Sequence, residues 1–180
     1  MKLHLILTYM FIFNILAIHS QTERVNGKII KDFGQTFKVE NPDIPTDTNA
    51  TLKVIFDVSK SPEDNATINS YIVTAARFLN MHAEAGMKPE QLKVAMTIHG
   101  GAWKDMLNDD AYLEKFNTKN PNTKLIKQLT DAGVEIIMCG QTASYRGVTK
   151  ENSNPDIKFA LSAMTALIQY QNSGYRFIKF

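Results

Sequence analysis

Cysteine is nearly absent from the 180-residue sequence, in which Cys139 is the single example. One cysteine excludes an intramolecular disulfide framework and a zinc site built from several cysteines. Charge of one sign is not in excess either, because 20 lysines and arginines face 18 aspartates and glutamates, for a net charge of +2. This balance gives no reason to expect a nucleic-acid partner. Hydrophobic residues make up 44% and charged residues 21% of the chain, values that are ordinary for a globular protein of one domain with a tail.

The first twenty residues have the pattern of an export signal. Lys2 is followed by the apolar run Leu5–Ile18, which only Thr8 and Asn14 interrupt. A membrane-spanning helix needs about 20 apolar residues, so the shorter run favours a cleaved signal peptide over 1–20, with an uncleaved signal anchor as the alternative. We therefore expect the rest of the chain to lie outside the cytoplasm, periplasmic or secreted, with no stable membrane span after cleavage.

The remainder of the chain predicts a single α/β domain behind a polar leader. Residues 21–50 are rich in turn residues, and we expect an extended leader there with a short strand near 35–39. Over 51–180, apolar runs of strand length alternate with helical periodicity, which predicts a three-layer α/β sandwich with a mostly parallel sheet. The expected strands are Leu52–Val58, Leu92–Ile98, Val134–Met138 and Tyr175–Phe180, and the expected helices are 65–82, Asp109–Phe116, Thr123–Ala132, a short one after Cys139, and Phe159–Gln171.

Three short peptides follow the predicted central strands. In an open α/β sheet, ligands bind beyond the carboxyl ends of the strands. This rule selects Asp57–Lys60, His99–Trp103 and Cys139–Arg146, which together hold the only cysteine and the only tryptophan of the chain. We therefore expect the functional site at this edge of the sheet.

Cys139 is the candidate nucleophile. It follows a buried strand directly and precedes Gly140, at a point where a helix can begin, so free backbone N–H groups can stabilise its thiolate. Gly140 has no side chain and lets backbone and ligand approach closely. The alternative is that Cys139 is a small buried apolar residue with no chemical role.

The loop after the second strand supplies further candidate site residues. Gly100 and Gly101 form a loop rich in N–H groups that can hold an anion, and His99 can donate a proton, orient a ligand or stabilise a thiolate. Arg146 can hold an anion after the third strand. The alternatives are a simple turn with His99 bonded to backbone, and a solvated Arg146.

Other site types find no support in the sequence. The HGGAW segment, His99–Trp103, is similar to the oxyanion loop of some esterases, but the G-x-S-x-G nucleophile elbow of that fold is missing. No nucleotide-binding glycine motif and no metal-ligand spacing is present, so we expect no cofactor and no metal.

The ordered set LKVIFDV, LKVAMTIHG, GVEIIMCGQTA and LIQYQNSGYRFIKF resembles the DsrE/DsrF-like family, which is related to sulfur-relay subunits, over about 51–180. The leader VNGKIIKDFGQTFKV resembles the subset of that family that carries signal peptides. The resemblance implies a homo-oligomer, a trimer or hexamer, and a persulfide-forming cysteine at Cys139, with His99 and Gly100 lining the site. It also implies a sulfur donor or acceptor protein as partner, although the relay members are cytoplasmic whereas this chain is expected to be exported.

Two functions of different classes follow. The first is an exported sulfur carrier or sulfurtransferase that holds sulfur as a persulfide on Cys139. The second is a non-catalytic oligomeric binding module in which Cys139 is structural. A third interpretation is a redox-sensing thiol that forms an intermolecular disulfide.

Overall fold

Seven strands and five α-helices follow one another in residues 24–180, the part of the chain that the computed structural model describes. The predicted signal peptide over 1–20 lies outside these residues. Two short strands of the leader, β1 (Arg24–Val25) and β2 (Thr36–Phe37), pair antiparallel. The domain continues through β3 (Leu52–Val58), α1 (Ser70–Glu84), β4 (Leu92–Ile98), α2 (Asp109–Phe116), α3 (Thr123–Asp131), β5 (Glu135–Cys139), α4 (Gly140–Arg146), β6 (Lys158–Ala160), α5 (Ala163–Asn172) and β7 (Arg176–Lys179), with 3₁₀ segments at Pro89–Gln91 and Gly100–Met106.

Strands β3 to β7 form one parallel sheet in the order β6-β5-β4-β3-β7. The predicted α/β sandwich is confirmed, and β3 and β4 have the predicted bounds. Both are nearly continuous apolar runs, because a central parallel strand is covered by helices on both faces and needs apolar side chains on each.

The two faces of the sheet are covered unequally. On one face, alternate strand residues such as Phe56, Met96 and Met138 pack against apolar side chains of α1, α2, α3 and α4 in one large core. On the other face, Ile55, Ala95 and Ile137 pack against α5 alone. A single ten-residue helix therefore covers the second face.

Helix α1 begins later than the sequence predicted. Its first residue is Ser70, and Asn69 is the N-cap, whose side chain accepts a hydrogen bond from the Tyr71 N–H. The preceding loop is fixed by a buried carboxylate, because Asp105 accepts hydrogen bonds from the Asn69 amide at 2.6 Å and the Ser61 hydroxyl at 2.8 Å. These contacts fix the loop in front of Asn69, and the helix begins at Ser70 rather than at the predicted residue 65.

The C-terminal third contains a strand that the sequence pattern did not predict. The expected helix Phe159–Gln171 is in fact the edge strand β6 followed by α5. Of the apolar residues expected on one face of that helix, Leu167 is half-buried, whereas Leu161, Met164 and Ile168 are 71%, 72% and 59% exposed.

The leader packs on α1 through one buried amide. Asn80 of α1 accepts hydrogen bonds from the Ile29 and Ile30 N–H groups and donates to the carbonyls of Ile30, Phe33 and Gly34. Ile30 is 1% exposed and belongs to the main core. The leader between Ile29 and Gly34 is thus fixed to the domain.

Candidate functional site

The candidate site lies at the carboxyl ends of β3, β4, β5 and β7, on the face that α5 covers. Asp57 of β3 lies in register with Thr97 of β4 and with Lys179 of β7. Thr97 of β4 is in register with Ile137 of β5. His99 follows Thr97 by two residues, and Cys139 follows Ile137 by two residues. Because side chains alternate along a strand, all these residues point to the same face.

Cys139 is both the last residue of β5 and the N-cap of α4. It is 6% exposed. Burial by itself disfavours the thiolate, but N–H groups of Thr142, Ala163 and Gln141, together with the Thr142 hydroxyl, outweigh that effect and lower the pKa of the Cys139 thiol from its ordinary value. Three of these four groups belong to Gln141 and Thr142 in the first turn of α4, and the fourth is the N–H of Ala163, the first residue of the longer α5. The thiol therefore lies where two helices begin, a position that favours the reactive thiolate.

A close approach of two backbone segments brings the start of α5 to the thiol. A Cβ atom on Gly140 would lie 2.5 Å from the carbonyl oxygen of Ala160 and 3.0 Å from that of Leu161. Only glycine allows this contact, in which the backbone of the β6–α5 connection approaches Gly140. The N-cap Ser162, whose Oγ accepts from the Thr165 N–H at 3.0 Å, fixes the direction of α5.

His99 lies beside Cys139 on the neighbouring strand. The register of β4 and β5 ends at Ile98 opposite Met138, and His99 continues β4 in extended conformation, with its N–H donating to the Val58 carbonyl at 3.0 Å. Neighbouring strands are about 4.8 Å apart, so the His99 and Cys139 backbones are adjacent. The structure thus brings these two predicted site residues together.

Asp57 holds the His99 ring. Its Oδ1 accepts hydrogen bonds from His99 Nε2 at 2.8 Å and from the Thr97 hydroxyl at 3.1 Å, and its Oδ2 lies 3.2 Å from Lys179 Nζ. The Asp57 side chain is 4% exposed and that of His99 29%. The sequence pointed to Asp57–Lys60 only as a peptide, and it gave no indication of Thr97 or Lys179. Asp57 could have been singled out in the sequence as an acidic residue near the end of a mainly apolar strand. Lys179 could be identified only once the strand order was known, because that order places β7 beside β3.

The two glycines after His99 act mainly in the turn. Gly100 has φ +53°, and a Cβ there would lie 2.9 Å from the Ser59 carbonyl oxygen. The N–H of Gly101 donates to that same oxygen at 2.8 Å. This N–H is consequently bonded within the protein, and the two glycines start the 3₁₀ segment against the end of β3.

Arg146 lies away from the thiol. Its guanidinium is 5.6 Å from the centre of the Trp103 ring and 5.1 Å from that of Tyr145. Trp103 packs against the main core, on the face of the sheet opposite to Cys139. The structure therefore does not join Arg146 to the cysteine, and its cation stacks on aromatic rings.

Residues 24–180 offer neither a metal-ion site nor a membrane-spanning helix. These residues contain no group of three or more His, Cys, Asp or Glu side chains placed to hold a metal ion. Within the same part of the chain, every helix is too short or too polar to cross a membrane.

Comparisons with known proteins agree with the fold. No curated protein sequence matches the chain. A protein of unknown function from Methanobacterium thermoautotrophicum, MTH1491, has a similar structure with a TM-score of 0.54 at 13% identity, over 72% of this chain and 99% of its own. The ychN protein of E. coli is similar with a TM-score of 0.51 at 14% identity, over the same shares of the two chains. At these identities the likeness concerns the fold. The model of the DsrE/DsrF-like family matches residues 53–180, and the chain belongs to that family.

Proposed function

We propose that the protein is a sulfur carrier with sulfurtransferase chemistry, in which Cys139 holds the transferred sulfur as a persulfide. The observation that carries the proposal is the position of the Cys139 thiol at the first turns of α4 and α5, where N–H groups stabilise an anion. A persulfide is ionised near neutral pH, so the same N–H groups stabilise the loaded form. Membership of the DsrE/DsrF-like family agrees with this chemistry.

The transfer requires no change in overall oxidation state. The Cys139 thiolate attacks the sulfane sulfur of a donor such as thiosulfate, and a new S–S bond forms as the bond within the donor breaks. The electron pair of the broken bond leaves with the donor, as sulfite in the case of thiosulfate. An acceptor thiolate then attacks the outer sulfur, and Cys139 leaves as the thiolate.

Reaction of the purified mature protein with thiosulfate or polysulfide, followed by intact mass measurement, tests the proposal. We expect wild type to gain one sulfur atom that a reducing thiol removes, and Cys139→Ser to gain none. Labelling of Cys139→Ser to the same extent would contradict the assignment. A wild-type protein that gains no sulfur and resists alkylation at Cys139 would support the second function, a binding module with a structural cysteine.

The burial of Cys139 is the observation that favours this second function, because a thiol that is 6% exposed is not freely accessible in the isolated chain. Comparing alkylation of the folded and the urea-unfolded protein distinguishes the two functions. We expect the folded protein to react faster at neutral pH, because its thiol pKa is lower, and protection by folding would support the structural role.

We propose further that the chain is exported and forms a homo-oligomer. Leu161, Met164 and Ile168 lie exposed on and just before α5, and apolar side chains of this kind commonly mark contacts between copies. Light scattering tests the assembly, with Ile168→Gln as the weakened variant. The N-terminal sequence of the protein recovered from its native host tests export, since cleavage after residue 20 leaves Gln21 first.

A further inference from the structure

We propose that Asp57 is a positioning residue, which holds the His99 imidazole against Cys139 so that the histidine exchanges a proton with the thiol. This inference rests on the proposed function of Cys139. Asp57 touches neither the thiol nor any sulfur donor directly in this proposal, and its effect passes through His99. The pair is joined by the 2.8 Å contact between His99 Nε2 and Asp57 Oδ1.

The hydrogen bonds define which ring nitrogen carries the proton. An ionised carboxylate can only accept, so His99 Nε2 donates to Asp57. In the neutral ring, Nδ1 then has a free lone pair, and none of the hydrogen bonds among residues 24–180 involves this atom. Asp57 lies on β3 and Cys139 on β5, on opposite sides of β4. Asp57 thus holds the ring from the β3 side, and Cys139 lies on the strand at the other side of β4.

A structural role does not account for a carboxylate at this position. One step back along the same face, Ile55, Ala95 and Ile137 are apolar and form the small core under α5. A buried ion pair seldom improves on well-packed apolar residues, because both charges lose their hydration. The Asp57 side chain is nevertheless only 4% exposed there, and Lys179 Nζ lies 3.2 Å from its second oxygen. A buried carboxylate at this position is explained if its role is to orient the His99 ring.

The proposed proton transfer is balanced within the site. The proton of the Cys139 thiol moves to His99 Nδ1, which gives a thiolate and an imidazolium, and no electron is gained or lost. Asp57 stabilises the imidazolium through the Nε2–H bond, while Lys179 keeps the carboxylate compensated when the ring is neutral. His99 returns the proton when the Cys139 thiolate leaves in the second transfer.

The test uses alkylation of Cys139 by iodoacetamide at neutral pH, which needs no sulfur donor. The key variant is Asp57→Asn combined with Lys179→Gln, because it removes one charge of each sign and leaves the net charge of the site unchanged. We expect it to react about tenfold more slowly than wild type, which corresponds to a rise of about one unit in the pKa of the Cys139 thiol. His99→Gln should be equally slow, and adding it to the double variant should cause no further loss. Lys127→Gln combined with Asp131→Asn is the matched control, because it removes one charge of each sign from an exposed ion pair of α3, on the other face of the sheet, and should react at the wild-type rate.

Additive losses, or a wild-type rate in the charge-balanced variant, would overturn the inference. Nitrogen NMR of the histidines gives a readout on the unaltered protein and does not depend on whether any variant folds. We expect the neutral His99 ring to carry its proton on Nε2, and a ring protonated on Nδ1 would contradict the proposal. If alkylation depends on Asp57 but wild type takes up no sulfur, the sulfur-carrier function fails while the positioning role of Asp57 stands.

Discussion

Gly140→Ala tests whether the approach of α5 to Cys139 lowers the pKa of the thiol. The added Cβ would lie 2.5 Å from the Ala160 oxygen, whereas an ordinary contact begins near 3.4 Å, so the β6–α5 connection must recede by about 0.9 Å. Overpacking of this kind costs about 1–3 kcal/mol of stability. The same movement draws the Ala163 N–H away from the thiolate that it stabilises.

The loss of that N–H sets the size of the functional effect. A hydrogen bond to a charged group contributes about 1.5–3 kcal/mol. Taking the lower end, the pKa of the Cys139 thiol rises by about one, since one pKa unit corresponds to about 1.4 kcal/mol. At a pH below both pKa values, the thiolate fraction and the alkylation rate then fall about tenfold.

The measurement is the rate of alkylation by iodoacetamide as a function of pH, with urea unfolding as the stability assay. Gly133→Ala is the matched control, because Gly133 has φ +85° and no atom within 4 Å of an added Cβ, at the other end of β5 from the thiol. The free energy of unfolding of this control should fall by about 1–2 kcal/mol because of backbone strain. The midpoint of its alkylation rate as a function of pH should be that of wild type. A Gly140→Ala protein that is destabilised but has the wild-type midpoint would refute the reasoning.

Two further predictions concern the buried polar groups that shape the domain. Asn80→Ala removes the partner of several buried backbone groups around Ile30, so the free energy of unfolding measured in urea should fall by about 2–4 kcal/mol. Limited proteolysis of this variant should cleave the leader first. Burial raises the pKa of Asp105 from 3.8 to about 6, against the opposing effect of its hydrogen bonds from Asn69 and Ser61. The folded state therefore binds this proton more tightly than the unfolded state, and stability relative to Asp105→Asn should increase by up to about 3 kcal/mol as the pH falls from about 7 to about 4. A difference between the two proteins that does not change with pH would contradict this.

The two central strands of the sheet were predictable because their signal is local. Leu52–Val58 and Leu92–Ile98 are buried on both faces and are therefore apolar nearly throughout. The strand Lys158–Ala160 is a three-residue edge strand next to a helix, and its apolar residues merge with the helical pattern. The start of α1 depends on Asp105, a residue far along the chain, which no local pattern reveals.

The candidate site was likewise only partly predictable from the sequence. The positions of Cys139 and His99 followed from a rule about strand ends, and the structure places the two residues side by side. Arg146 fulfils that rule as well, but the seven-residue helix α4 leads it to the opposite face of the sheet. Lys179 could not be predicted as a site residue from the sequence, because it comes into contact with Asp57 only when β7 lies beside β3 in the sheet.

The unequal covering of the sheet explains why the chemistry lies on one face. Four helices fill the face that holds Phe56 and Met138, and little room remains there for a reactive group. The other face has only α5, whose first turn lies at the end of β5. On this same face, the carboxyl ends of β3, β4 and β7 carry Asp57, His99 and Lys179. The single covering helix therefore brings the Ala163 N–H to the Cys139 thiol on the face where the partly exposed His99 ring also lies.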